Sequence, residues 1–243
     1  MKFTVSARSK PSAVPIQKYV KHNYAGVPAE QIESFFGFVE ASPLYGGRIF
    51  STPELSAYDI RSMYKMGINL RLPLTNHTVS KEEYEQNQWL LEKHHRPGNA
   101  AIVTNDKLAK WIKADFPDYR VEASVIKNIN TLKKLDKALE VYDIVIPPMA
   151  SNEDETFLNG IEDKSRITLF ANAGCALTCP SKMCYPSISK VNKTGDRDLF
   201  TCSQGLKQRE QLGMIDFDLD HLQSLGFDSF KLLRARPGKM TGY

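Results

Sequence analysis

Short apolar, β-branched runs alternate with amphipathic helical patterns from residue 34 to residue 235, and few architectures accommodate that order. "SFFGFVEAS" (34–42) reads as a strand, and "SAYDIRSMYKMG" (56–67) as a helix capped by Ser56 and stopped by Gly67. "INLRLPL" (68–74) is a strand, followed by a helix over 80–95 that starts with the capping box Ser80…Glu83. Strand and helix then follow each other at 99–104 and 105–116, 120–126 and 130–141, and 143–148 and 152–161. A strand at 166–172, a helix at 218–226 and a strand at 229–235 complete the series, with an eighth strand expected around "GMIDFD" (213–218). Such alternation implies parallel strands joined by right-handed crossovers. Eight units in 243 residues suit an α/β fold of the (βα)8 type, a TIM-like barrel of irregular outline. A doubly wound open sheet competes with it, but no Gly-x-Gly-x-x-Gly turn follows the first strand. Residues 1–30 fall outside the pattern and are expected to form a basic N-terminal extension or cap, with residues 31–243 as one barrel domain.

Length and a hydrophobic content of 42% are enough for a sizeable core. No apolar run reaches the ~18 residues of a membrane span, and the N-terminus has no apolar h-region, so a cytoplasmic protein without a membrane partner is expected. The net charge of +4 is a mild bias toward anionic partners and does not establish nucleic-acid binding.

All four cysteines fall in one segment, 175–202, with the spacing C-x3-C-x4-C-x17-C. Four buried thiols packed as small hydrophobes would be the plain structural explanation. Their clustering beside Gly174, Pro180 and Pro186 instead points to a metal site in a loop-like segment, and a reducing compartment disfavours disulfides. Structural zinc sites generally use paired C-x2-C knuckles, and none is present; looser spacing suits an iron–sulfur cubane, with zinc as the alternative metal. Cys175 comes directly after the strand 166–172, which places the site at the C-terminal rim of a barrel, where active sites are built. A radical S-adenosylmethionine motif, C-x3-C-x2-C after the first strand, matches neither the second gap nor the position.

"RITLFANAGCALTCPSKMCYPSISK" (166–190), then "CSQ" (202–204), then "LGFDSFKLLRAR" (225–236) resembles the U-32 peptidase family, the collagenase-like peptidases. The stretch "IVTNDKLAKWIKADFPDYRVEASVIKNINT" (102–131) is similar to that family's middle. The resemblance implies a barrel with a 4Fe–4S cluster on Cys175, Cys179, Cys184 and Cys202. It also implies either peptidase activity or, as in other relatives, oxygen-independent hydroxylation of an aromatic ring or nucleobase, with prephenate as an oxygen donor in RNA cases. The closing strand departs from the family by reading "KLLRAR" without an acidic residue, and the chain looks like a minimal single-barrel form.

Polar residues at strand ends supply the remaining candidates. Arg120, Glu122 and Ser124 share one face of a strand, and Arg71 lies on a neighbouring one. Buried polar groups are costly unless used or paired, so Glu122 and Arg71 are either catalytic or a salt-bridged interior pair. His77, in the loop after strand 68–74, is the third catalytic candidate. Lys231 and Arg234, with Asn172 and Asn105, are candidates for binding substrate, the two cations through an anionic group. The expected function is an iron–sulfur hydroxylase whose partner is an anionic small molecule, a nucleotide or nucleic acid, with an electron donor. A peptidase is the first rival, although no H-E-x-x-H or Ser/His/Asp order is visible. A metal-stabilised nucleic-acid-binding protein without catalysis is the second.

Overall fold

The computed structural model describes residues 1–179, 182–204 and 214–233. Its strands are β1 (Lys2–Ser6), β2 (Ile32–Phe36), β3 (Asn69–Leu74), β4 (Ala100–Val103), β5 (Arg120–Ala123), β6 (Ile144–Val145), β7 (Leu169–Phe170), β8 (Asn172–Ala173), β9 (Ile215–Asp216) and β10 (Ser229–Leu232). Eight of them form one parallel sheet in the order β6-β5-β4-β3-β2-β1-β10-β7. The helices are α1 (Ile16–Asn23), α2 (Ala57–Lys65), α3 (Lys81–Gln86), α4 (Gln88–Lys93), α5 (Asp106–Asp115), α6 (Leu132–Leu139), α7 (Glu155–Asn159), α8 (Cys184–Thr194) and α9 (Leu219–Ser224). None is long and apolar enough to cross a membrane among the described residues.

The sheet curls toward a TIM-like barrel whose ladder remains open at one seam. Its two edge strands, β6 and β7, have two residues each. The edges meet through a single parallel bridge between Val145 and Ile167, and Thr168 N–H donates to the Val145 carbonyl at 3.0 Å. The TIM-like barrel of irregular outline expected from the alternation is therefore an incompletely closed one.

The N-terminal expectation is corrected. Residues 1–30 do not stand apart from the barrel, because Lys2–Ser6 forms the strand between β2 and β10. α1 follows it, and the Tyr19 and Tyr24 hydroxyls both donate to the Ser6 carbonyl. A five-residue strand buried at four positions shows no alternation, so its period is invisible in the sequence. The expected eighth strand at 213–218 is corrected with it. β9 pairs antiparallel with β8 in a separate two-stranded sheet, Asn172 opposite Asp216 and Ala173 opposite Ile215.

Two helices also differ from expectation. The run 80–95 breaks at Asn87 into α3 and α4. The Asn87 side chain donates to the Glu83 carbonyl and accepts from the Ser42 hydroxyl, bonds that compete with a continuous helical backbone. The segment after the third cysteine, taken as loop-like because of Pro186, is α8. Pro186 sits in its first turn, where no backbone N–H is needed, and Gly195 ends it at φ +75°. The capping boxes at Ser56 and Ser80 are as the sequence reads, although the first closes through Asp59.

Gly46 lies in the segment after β2, packed on the backbone of Thr75. A Cβ there would meet the Thr75 carbonyl oxygen at 2.2 Å. Gly46→Ala is expected to destabilise the fold by about 1–3 kcal/mol, the usual cost of overpacking, read as a lowered urea midpoint at unchanged m-value.

Candidate functional site

A cavity of about 730 Å3 opens at the C-terminal ends of the parallel strands. Ser6, Phe36, Pro73, Ile102, Phe170 and Lys231 reach it from the last or penultimate positions of β1, β2, β3, β4, β7 and β10. Ser124 and Met149 reach it from the turns after β5 and β6. Six strands of the curled sheet, and the turns that follow the other two, thus contribute to one mouth.

All four cysteines line this cavity. Cys175 and Cys179 come from the segment after β8, Cys184 is the first residue of α8, and Cys202 follows the turn after α8. None is disulfide-bonded. Burial first, then the negative charges of Cys202, Cys179 and Cys175, push the Cys184 thiol up to about 11, so Cys184 senses all three of the others. Ser187 ties the start of α8 to the residue before Cys202: its hydroxyl bonds the Thr201 carbonyl at 3.1 Å and receives Thr201 N–H at 3.1 Å. Lys182 N–H donates to Cys179 Sγ at 3.4 Å.

The helix that carries Cys184 is held by two loops. Asn76 donates to the Ser189 carbonyl at 3.0 Å, and Ser189 Oγ lies 3.1 Å from His77 Nδ1. Asn192 accepts from Phe50 N–H at 2.8 Å and donates to the carbonyls of Tyr45 and Arg48. The loops after β2 and β3 therefore fix α8 over the cavity. Arg48 in turn forms a two-pronged pair with Glu54, whose carboxylate also takes the backbone N–H groups of Ser9 and Phe38.

A fit to a metal can be tested on this arrangement. Among the described residues no three His, Cys, Asp or Glu side chains are close enough together to hold a single metal ion. A zinc ion would need all its sulfurs at about 2.3 Å, so zinc does not fit these positions as they stand. Four thiols around one cavity are, in chemistry, the donor set that a larger group with irons spread over several ångströms takes.

The other sequence candidates divide. Lys231 lines the cysteine cavity, 6% exposed, with Nζ 4.3 Å from the Phe36 ring centroid. Arg71 and Glu122 line neither that cavity nor the groove that holds His77. They form the salt-bridged interior pair, Nε to Oε1 at 2.9 Å, with Arg71 Nη2 also on Glu33 at 2.8 Å. His77 and Asn105 line a separate open groove with Glu83 and Lys193. Burial lowers the pKa of His77, and its ring serves the α8 contact. Asn105 caps α5 by accepting from the N–H groups of Lys107 and Leu108. Asn172 is fully buried and exchanges two hydrogen bonds with the Leu233 backbone, 3.0 and 2.9 Å, so it pins the closing strand. Arg234 lies outside the described residues. Sequence reasoning missed Phe36, Phe38 and Tyr185 in the cavity wall, because aromatic residues on strands and helices look like core; the pair "GG" at 46–47 was the available sign of a close-packed loop.

No family model matches the chain, and no curated protein matches it. The solved structure of the U32 peptidase Mk0906 superposes on it with a TM-score of 0.65 at 12% identity, covering 97% of this chain and 93% of that one. The chain thus has the fold of that peptidase.

The Lys231 environment has a measurable consequence for stability. Burial lowers its pKa from 10.5 to about 8, with Glu122 opposing and the cations Arg71 and Arg48 assisting. Between those two values the unfolded chain binds a proton that the folded chain does not, so the penalty is fully present below about pH 8 and gone above pH 10.5. Lys231→Met is expected to raise stability at pH 7 by up to about 3 kcal/mol. The advantage should shrink to nothing as the pH approaches 10.5, measured by urea unfolding of both proteins across that range.

Proposed function

We propose that this chain is an iron–sulfur enzyme that hydroxylates an aromatic ring or nucleobase without molecular oxygen. Cys175, Cys179, Cys184 and Cys202 are the ligands of its cluster. The observation that carries this reading is that all four cysteines of the chain line one cavity at the C-terminal ends of the strands. A bound cluster would supply one-electron chemistry there.

The chain's own residues do the rest. Phe36, Phe38, Phe170 and Tyr185 provide aromatic walls for a planar ring. Lys231 offers its amine to an oxygen-bearing group on the substrate. α8, held through Asn76, Ser189 and Asn192, keeps Cys184 in place while substrate enters. The substrate is an anionic small molecule, a nucleotide or a nucleic acid, the oxygen comes from prephenate or water, and an electron donor completes the cycle.

A peptidase is the second reading, favoured by the name of the structural neighbour. The Ser–His contact beside the cavity helix does not serve it, because Ser189 is 2% exposed and bonded to Asn76's neighbourhood through its own backbone and hydroxyl. Such a serine is not presented to a peptide carbonyl.

Two measurements decide. Anaerobic reconstitution of the wild-type protein should give a brown protein with iron and sulfide, and Cys184→Ser should lower both iron content and melting temperature. Reconstituted protein, incubated anaerobically with nucleotides, RNA or phenolic acids plus prephenate, should yield a product that gains one oxygen by mass spectrometry. Cleavage of a peptide library by cluster-free protein, with no oxygen gained under any condition, overturns the hydroxylase in favour of the peptidase.

A further inference from the structure

Lys231 is the exception among the buried cations. The other buried lysine and the buried arginine of the described residues are matched: Lys10 lies 2.8 Å from Asp59, and Arg71 lies 2.9 Å from Glu122. Among the described residues no carboxylate or hydrogen-bond acceptor is within bonding distance of Lys231 Nζ, whose close neighbour is the face of Phe36. Glu122 is committed to Arg71, and the hydroxyl of Thr4, the register partner of Lys231 on β1, is committed to Ser34 at 2.8 Å.

An amine of a largely buried residue that faces a cavity with no carboxylate beside it needs an explanation, since charge is costly there. An anion site would surround it with further donors, as phosphate and carboxylate sites do. Here the neighbours are the Phe36 ring and Phe170, the register partner of Lys231 on β7, and the nearby cation Arg48 of the cavity wall is engaged by Glu54. A desolvated lysine near other cations is the setting in which the neutral, nucleophilic amine becomes accessible. Its pKa, lowered to about 8, agrees with that geometry.

We propose that Lys231 is a carbonyl-reactive amine, and that the cavity takes a ligand bearing an aldehyde or ketone and holds it as an imine on Nζ. The Nζ lone pair forms a C–N bond to the carbonyl carbon. The carbonyl oxygen leaves as water, carrying the two hydrogens that the neutral amine gives up. No oxidant or reductant takes part. The inference shares with the proposed function only the premise that this cavity receives the substrate, and it needs no cluster.

The test is borohydride trapping on the full chain, as purified, with glycolaldehyde and with pyruvate as probes. Peptide mass mapping then gives the yield at each lysine. Lys231 should be reduced to its alkylated form roughly tenfold faster than the average surface lysine at pH 8, because more of it is unprotonated. Lys231→Arg, which keeps a cation in place, should lose the preferential addition seen in the intact mass. If that variant does not fold, the wild-type peptide map decides alone. An unmodified Lys231 beside labelled surface lysines overturns the proposal. Trapping at Lys231 without any hydroxylation leaves this inference standing while the hydroxylase fails, so the two are separable.

Discussion

The Arg71–Glu122 pair decides what the inside of the curled sheet can be. Arg71 is among the largest fully buried side chains, and its charge is tolerated because Glu122 and Glu33 take two of its nitrogens. Removing one member of such a pair leaves an uncompensated charge, which costs far more than the pair itself contributes. Its wider effect is electrostatic. By occupying Glu122, Arg71 leaves no free carboxylate beside Lys231 among the described residues, and its own charge disfavours protonation of that amine. The polar interior and the reactive-looking mouth are thus two results of one pairing.

Much of the barrel could be read from the chain because its middle obeys local rules. β3, β4 and β5 are β-branched or apolar runs bracketed by capped helices, and Asn105 and Thr131 cap the next helices as side-chain chemistry suggests. What stayed hidden was tertiary. β1 is too short and too buried to show a period, and Asn87 breaks a helix through a bond to Ser42, forty-five residues away. Pro186 reads as a loop signal until the first turn of α8 is seen around it.

The site was legible to a similar degree. The clustering of the cysteines announced a common location, and the cation-rich closing run singled out Lys231, which lines the same cavity. Charge alone could not separate a working residue from a structural one. Glu122 and Arg71 looked catalytic for the same reason that they pair, since each needs a partner when buried. His77 and Asn172 looked like rim chemistry, and they hold α8 and the closing strand. In each case the deciding fact was the identity of the nearest polar atom, which no spacing in the sequence encodes.

The seam between β6 and β7 has a consequence for how the cavity is entered. Most neighbouring strands are joined by ladders of three or four paired positions, whereas this junction has the Val145–Ile167 bridge. Local opening follows the elements with the fewest backbone bonds. One of them, β7, leads through β8 into the segment that bears Cys175 and Cys179. Parting this seam would open the cavity wall between Met149 and Phe170 while β1 to β5 keep their pairing, like a cask with one loose stave.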